Sequence, residues 1–132
     1  MIGVLDEKEC LARLATSTVG RIGHVIDGRV EIIPVNYRID GRELYLRTRE
    51  DGIFSGLPDE TDIAFEVDHF EALDGSGWSV LLGGHVKSVD PDEAVTIDAA
   101  AHVRPWAGGE RTLWLRFVIE RISGRSVRRP TA

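Results

Sequence analysis

The chain has 132 residues, 42% of them hydrophobic and 29% charged, which supplies one core and leaves little length for a second, so one domain over 1–132 is expected. A net charge of -6 disfavours general nucleic-acid binding, and no apolar run approaches the roughly 20 residues of a membrane span. The lone Cys10 rules out an internal disulfide, and the acidic stretch from Met1 to Glu9 lacks the order of a secretory signal, so a cytoplasmic address is expected.

The first predicted element is a helix from Asp6 to about Thr16. Asp6 and Glu9 form a capping box, and Leu5 can staple onto Cys10. Strands are predicted over Val19 to Ile26, Arg29 to Ile39 and Glu43 to Thr48, the last with Leu44 and Leu46 on one face and Tyr45 and Arg47 on the other. Ile63, Phe65 and Val67 alternate with Ala64, Glu66 and Asp68 in a fourth strand, and a fifth runs from Gly77 towards Val89. Four Asp-Gly pairs, beginning at Asp27, Asp40, Asp51 and Asp74, provide the turns, because both residue types tolerate positive φ. A second helix opens at Asp90 with Pro91 at its first position, carries Ala94, Ile97 and Ala101 on one stripe, and ends before Pro105. The last strand, Thr112 towards Ile122, puts Leu113, Leu115, Phe117 and Ile119 on one face. Six or so antiparallel strands with flanking helices predict a mainly β, Greek-key barrel.

Several segments are candidates for chemistry. Val30 to Tyr37 is apolar on both faces at its centre, which fits either an edge strand covered by a second subunit or the floor of a ligand site, and Pro34 belongs at an edge or bulge. Arg47-Thr48 at a strand end is either a solvated rim or an anion site. Trp78 and Ser79 lie on opposite faces of the long strand, and Trp106 sits in a rigid connection that could shape a pocket mouth. Arg121, Arg125, Arg128 and Arg129 form a basic cluster, readable as a solvated tail or as a phosphate-reaching arm. His24, His69, His85 and His102 lack metal-ligand spacing, so no metal is expected. His24 and His85 are candidates to meet in space, and Tyr37 and His85 are candidate proton donors. Hydrolase, NTPase and dinucleotide fingerprints are missing.

Taken in order, Leu11 to Gly20-Arg21-Ile22, Ile33-Pro34-Val35-Asn36-Tyr37, Leu46-Arg47-Thr48, Ala64-Phe65-Glu66-Val67-Asp68, Gly77-Trp78-Ser79-Val80 with Gly84, Arg104-Pro105-Trp106 and Ile122-Ser123-Gly124-Arg125 resemble the actinobacterial branch of the pyridoxamine 5'-phosphate oxidase-like family. The resemblance covers nearly the whole chain. It implies a split β-barrel homodimer that binds FMN between subunits and acts as a flavin-dependent oxidoreductase on a small molecule. A deazaflavin coenzyme or haem, and a non-catalytic binding module, are the alternatives. By the family pattern Ile33, Pro34, Val35, Asn36 and Tyr37 would lie along the isoalloxazine. Arg47 and Thr48 would bind the phosphate, Ser79 would approach it from the neighbouring strand, and Trp78 and Trp106 would be walls. The chain departs from the pattern at Ile53-Phe54, where the family places a basic residue, and that weakens the expectation of FMN.

Overall fold

The computed structural model describes residues 2–48, 53–60, 62–97, 103 and 113–128, apart from the side chains of 53–55. Its strands are β1 (Ile2–Leu5), β2 (Val19–Ile26), β3 (Arg29–Asn36), β4 (Arg38–Asp40), β5 (Glu43–Thr48), β6 (Ile63–Glu71), β7 (Ser76–Val89) and β8 (Leu113–Val127). Helix α1 (Glu7–Leu14) follows β1, a 3-10 segment (Ile53–Asp59) precedes β6, and α2 (Pro91–Ala94) follows β7. No described helix is long and apolar enough to cross a membrane.

The strands form one antiparallel sheet in the order β3-β2-β6-β7-β8-β5-β4, with β1 also on β8. β8 is the organiser. One of its edges pairs with β7 along nearly its full length, while the other is shared by β5 at Leu113 to Val118 and β1 at Gly124 to Val127. The far strand β3 curls back to bring Cα atoms within 8 Å of β5, which gives the split barrel.

Local sequence explains the turns. Asp27 (φ 51°) and Gly28 (φ 76°) both take positive φ in the two-residue turn that joins β2 to β3, the conformation a tight hairpin demands. Asp74 accepts the Ser76 amide at 2.8 Å, closing the turn from β6 to β7. At α1 the Asp6 carboxylate accepts the Glu9 amide at 2.8 Å, as the capping signal predicts, although the helix ends at Leu14 rather than Thr16.

Alternate residues of the strands fill the barrel: Ile22, Leu44, Leu46, Phe65, Leu82 and Phe117 are completely buried, and α1 closes one end with Cys10 and Leu14. Each such aliphatic or aromatic side chain contributes about 1.5–3 kcal/mol on leaving water. A smaller cluster of Tyr45, Val89, Ala94 and Val103 lies on the other face of β5, so both faces of that strand are covered there.

The expected architecture is correct in type and differs in count and boundaries. Among the described residues there are eight strands, against the six or so expected. The predicted strand Arg29 to Ile39 breaks at Tyr37 into β3 and β4. Helix α2 stops at Ala94 because Val95, Thr96 and Ile97 are β-branched and the amides of Thr96 and Ile97 tighten onto the carbonyls three residues back. Ile97 therefore packs on the smaller cluster from beyond the helix, and Ala101 lies outside the described residues. In β8 the register shift opposite Gly83 and Gly84 leaves Glu120 as the extra residue of a bulge, which switches the buried parity from Ile119 to Ile122 and Gly124. A Cβ at Gly124 would stand 2.6 Å from Cys10 Sγ, so the close seat of α1 on β8 needs glycine.

Candidate functional site

Two of the predicted site segments come together. The β4–β5 register pairs Arg38 with Tyr45, and β3 also brings Cα atoms within 8 Å of β5, so the strand that carries Ile33 to Asn36 comes near the one that ends at Arg47 and Thr48. β3 is the terminal strand of the sheet, as Pro34 predicts, and Pro34 is exposed on its outer face opposite Arg21. Ile33, Val35 and Tyr37 turn into the core, so a ligand along this strand would meet backbone and outer-face atoms rather than those three side chains. Asn36 Nδ2 donates to the Thr18 carbonyl at 3.3 Å, which fixes the strand end. The Arg47 guanidinium lies 4.9 Å above the Trp114 ring, a stacking that holds it in place at the end of β5.

Tyr37 is not a proton donor for this site. Its phenol is buried, donates to the Leu14 carbonyl at 2.6 Å, and is pushed up to about 12 by loss of hydration. The ring meets Phe65 edge-on at 5.4 Å, so its role is to lock β3 against α1 and the core. His24 and His85 do not meet: buried His24 faces Glu60 at 3.1 Å, whereas His85 pairs with the bulge residue Glu120 on the outer face.

Trp78 and Ser79 lie elsewhere in the subunit. Ser79 is opposite Arg125 and Arg47 is opposite Trp114, so along β8 they are separated by roughly 35 Å of strand path at about 3.3 Å per residue. β8 also runs between β5 and β7, so Ser79 does not approach the Arg47–Thr48 position of its own subunit from a neighbouring strand. Trp78 packs its indole against the main core. Trp106 falls outside the described residues, as does the Phe54 side chain.

Ser79 opens instead onto a groove of about 620 Å³ whose lining includes Glu66, Leu81, Ser123 and Arg125. Beside it Arg21 donates to Glu66 at 2.9 Å and reaches Asp68 at 3.4 Å. The two acids share one face of β6, and burial together with the adjacent Asp68 pushes the Glu66 carboxyl up to about 7. Asp68 moves down, held by its hydrogen bond with Glu66 and by the Arg21 charge. Sequence reading treated these acids as a polar strand face. Two carboxylates at i and i+2 on one strand were the available signal.

A family model for pyridoxamine 5'-phosphate oxidase matches residues 6–126. Among solved structures, a Corynebacterium glutamicum protein provisionally described as a pyridoxamine 5'-phosphate oxidase superposes with a TM-score of 0.80 at 26% identity, covering 98% of this chain and 96% of its own. An FAD-binding protein from Mycobacterium smegmatis gives a TM-score of 0.75 at 26% identity and 97% and 100% coverage. A conserved Corynebacterium diphtheriae protein of unknown function is 32% identical, with a TM-score of 0.75 and 95% and 97% coverage. No curated protein matches the sequence.

Proposed function

Because the chain belongs to the pyridoxamine 5'-phosphate oxidase family, we propose that it is a homodimeric flavin-binding protein that uses the bound flavin as an oxidoreductase on a small molecule. The observation that carries the reading is the convergence of two segments, Ile33 to Tyr37 at the end of the terminal strand and Arg47-Thr48 at the end of β5. A flavin supplies the redox chemistry when bound. The chain supplies a strand edge for the flat ring system and a stacked guanidinium with an adjacent hydroxyl for the phosphate. Asn36, tied to Thr18, keeps the strand end in position. By the family pattern Trp106, outside the described residues, would be a wall of this site, and Trp78 and Ser79 lie away from the Arg47–Thr48 position of their own subunit.

The name of the mycobacterial relative supports a flavin. The described histidines give haem less support, since His24 is buried against Glu60 and His69 and His85 are each paired with a carboxylate. The second subunit is argued from the outer face of the β2–β3 hairpin, where Val25 and Val30 are directly paired and 58% and 72% exposed, with Ile32 alongside. Covering these residues would also cover the strand that carries the flavin segment.

The test is the absorption spectrum of the purified protein, followed by identification of whatever nucleotide is released on denaturation. Oxidised-flavin bands with FMN or FAD in the supernatant support the reading. A deazaflavin spectrum would keep the site and change the cofactor. A Soret band, or no binding of any flavin on reconstitution, would overturn it.

A further inference from the structure

Beyond Arg47 itself, the end of β5 carries a regular cross-strand pattern. Tyr45 and Arg47 share one face of β5, and their register partners on β8 are Arg116 and Trp114, so each rung of this short ladder sets a cation beside an aromatic ring. The Arg116 guanidinium lies 5.5 Å above the Tyr45 ring, and the Arg47 guanidinium 4.9 Å above the Trp114 ring. Both distances fall within about 6 Å, the range in which a ring face attracts a cation. From one rung to the next the ring changes strand, which leaves the two arginines on a diagonal.

The rungs differ in what surrounds them. Arg116 pairs with Glu43 of β5 and, at 2.7 Å, with Glu93 of α2, so it ties the helix to the sheet and its charge is compensated. Compensated in this way, it repels the diagonal Arg47 only weakly. Trp114 is flanked on both sides, by Arg47 on β5 and by Val89 on β7. Its side chain packs against the cluster of Tyr45, Val89, Ala94 and Val103, in which Ala94 of α2 is completely buried. The indole is thus a fixed platform, and the longer, more flexible arginine is laid on it. A guanidinium already held in place loses less freedom on meeting an anion than one that samples many rotamers in water. A ring engages its face while a phosphate engages the N–H fork in its plane, so the two contacts can coexist.

We propose that Trp114 is a positioning residue for the flavin phosphate: seated on the α2 cluster, it holds the Arg47 guanidinium ready for the anion and so sets the preference for phosphorylated flavins over riboflavin without touching the ligand. This role rests on Arg47 as the phosphate ligand of the flavin site. It adds to that site a residue from β8, and through it the small second core.

The experiment is a double-mutant cycle on the full chain, freed of bound flavin and titrated with FMN and with riboflavin by quenching of flavin fluorescence. Trp114→Leu keeps an apolar side chain on the cluster and removes the ring. It is expected to weaken FMN about threefold to tenfold, the fold-change of a lost cation–ring contact, and to leave riboflavin unchanged. Trp114→Phe keeps an aromatic face and is expected to lie between the leucine variant and the wild type. It carries the same comparison if the leucine variant loses its far-UV circular dichroism. In an Arg47→Ala background, replacing Trp114 is expected to cost FMN nothing further, because its whole effect passes through the guanidinium. Wild-type FMN affinity in Trp114→Leu, equal losses for FMN and riboflavin, or a second loss of FMN in the Arg47→Ala background would each overturn the proposal, while a selective loss of FMN in Arg47→Ala alone keeps the phosphate assignment. Wild-type FMN affinity in Arg47→Ala would overturn the flavin reading itself, and the role of Trp114 with it.

Discussion

Replacing Tyr37 by phenylalanine separates stability from cofactor binding at the residue where sequence reading merged them. Tyr37 is 1% exposed, and its hydroxyl donates to the Leu14 carbonyl at 2.6 Å near the C-terminus of α1. Removing the oxygen leaves that carbonyl with only the Ser17 amide at 3.4 Å, and keeps the ring packed on Phe65. A buried acceptor that loses its main donor costs about 1–3 kcal/mol, and the remaining weak bond puts the expected loss at about 1–2 kcal/mol. For a chain of this size that lowers the thermal midpoint by roughly 3–8 °C. Scanning calorimetry measures the shift, and flavin content measures the site. An unchanged midpoint would show that the hydrogen bond contributes nothing. A loss of flavin affinity at unchanged stability would return Tyr37 to the cofactor site.

The acid pair on β6 gives a pH signature: Glu66 is raised from 4.5 to about 7, so the stability tied to its proton is fully present below 4.5 and lost as pH rises towards 7. Glu66→Gln should flatten the urea midpoint across that window, and parallel curves would refute the assignment. Asp68 is lowered from 3.8, so its contribution is present above that value and disappears only as pH falls further. Ile32→Glu is expected to convert a dimer at micromolar concentration to a monomer by light scattering, and a dimer that survives it would move the interface off the β2–β3 face. Gly124→Ala puts a methyl 2.6 Å from Cys10 Sγ and should cost about 1–3 kcal/mol in denaturant unfolding, whereas a neutral result would mean α1 can shift freely.

Most of the sheet was legible because its signals are local. Leu44 and Leu46, Ile63 to Val67 and Leu113 to Ile119 alternate cleanly, and the Asp27-Gly28 pair adopts the positive φ values its chemistry permits. What escaped depends on partners distant in sequence. β1 is four residues of which three are exposed, and it exists through pairing with the end of β8. The bulge at Glu120 follows from matching a long β7 against β8 across a register shift. The strand break at Tyr37 reflects a tyrosine whose best partner is the helix α1, a tertiary preference that no propensity within the strand encodes. At the site, the family pattern made Arg47 and Ser79 co-ligands, whereas within one subunit both flank β8 and sit towards its opposite ends. Glu66 and Asp68 read as solvent-facing until Arg21 is placed beside them by β2–β6 pairing.

The central claim is that Arg47 and Thr48 hold the phosphate of a flavin laid along Ile33 to Tyr37. Its most direct test is titration of flavin-free protein with FMN and with riboflavin, followed by quenching of flavin fluorescence, in the wild type and in Arg47→Ala. The account predicts one flavin per subunit, and a loss of FMN affinity of roughly tenfold to a hundredfold in the variant, the equivalent of about 1.5–3 kcal/mol for a charge-assisted contact, with riboflavin little changed. Equal losses for FMN and riboflavin, or no loss for either, would contradict it.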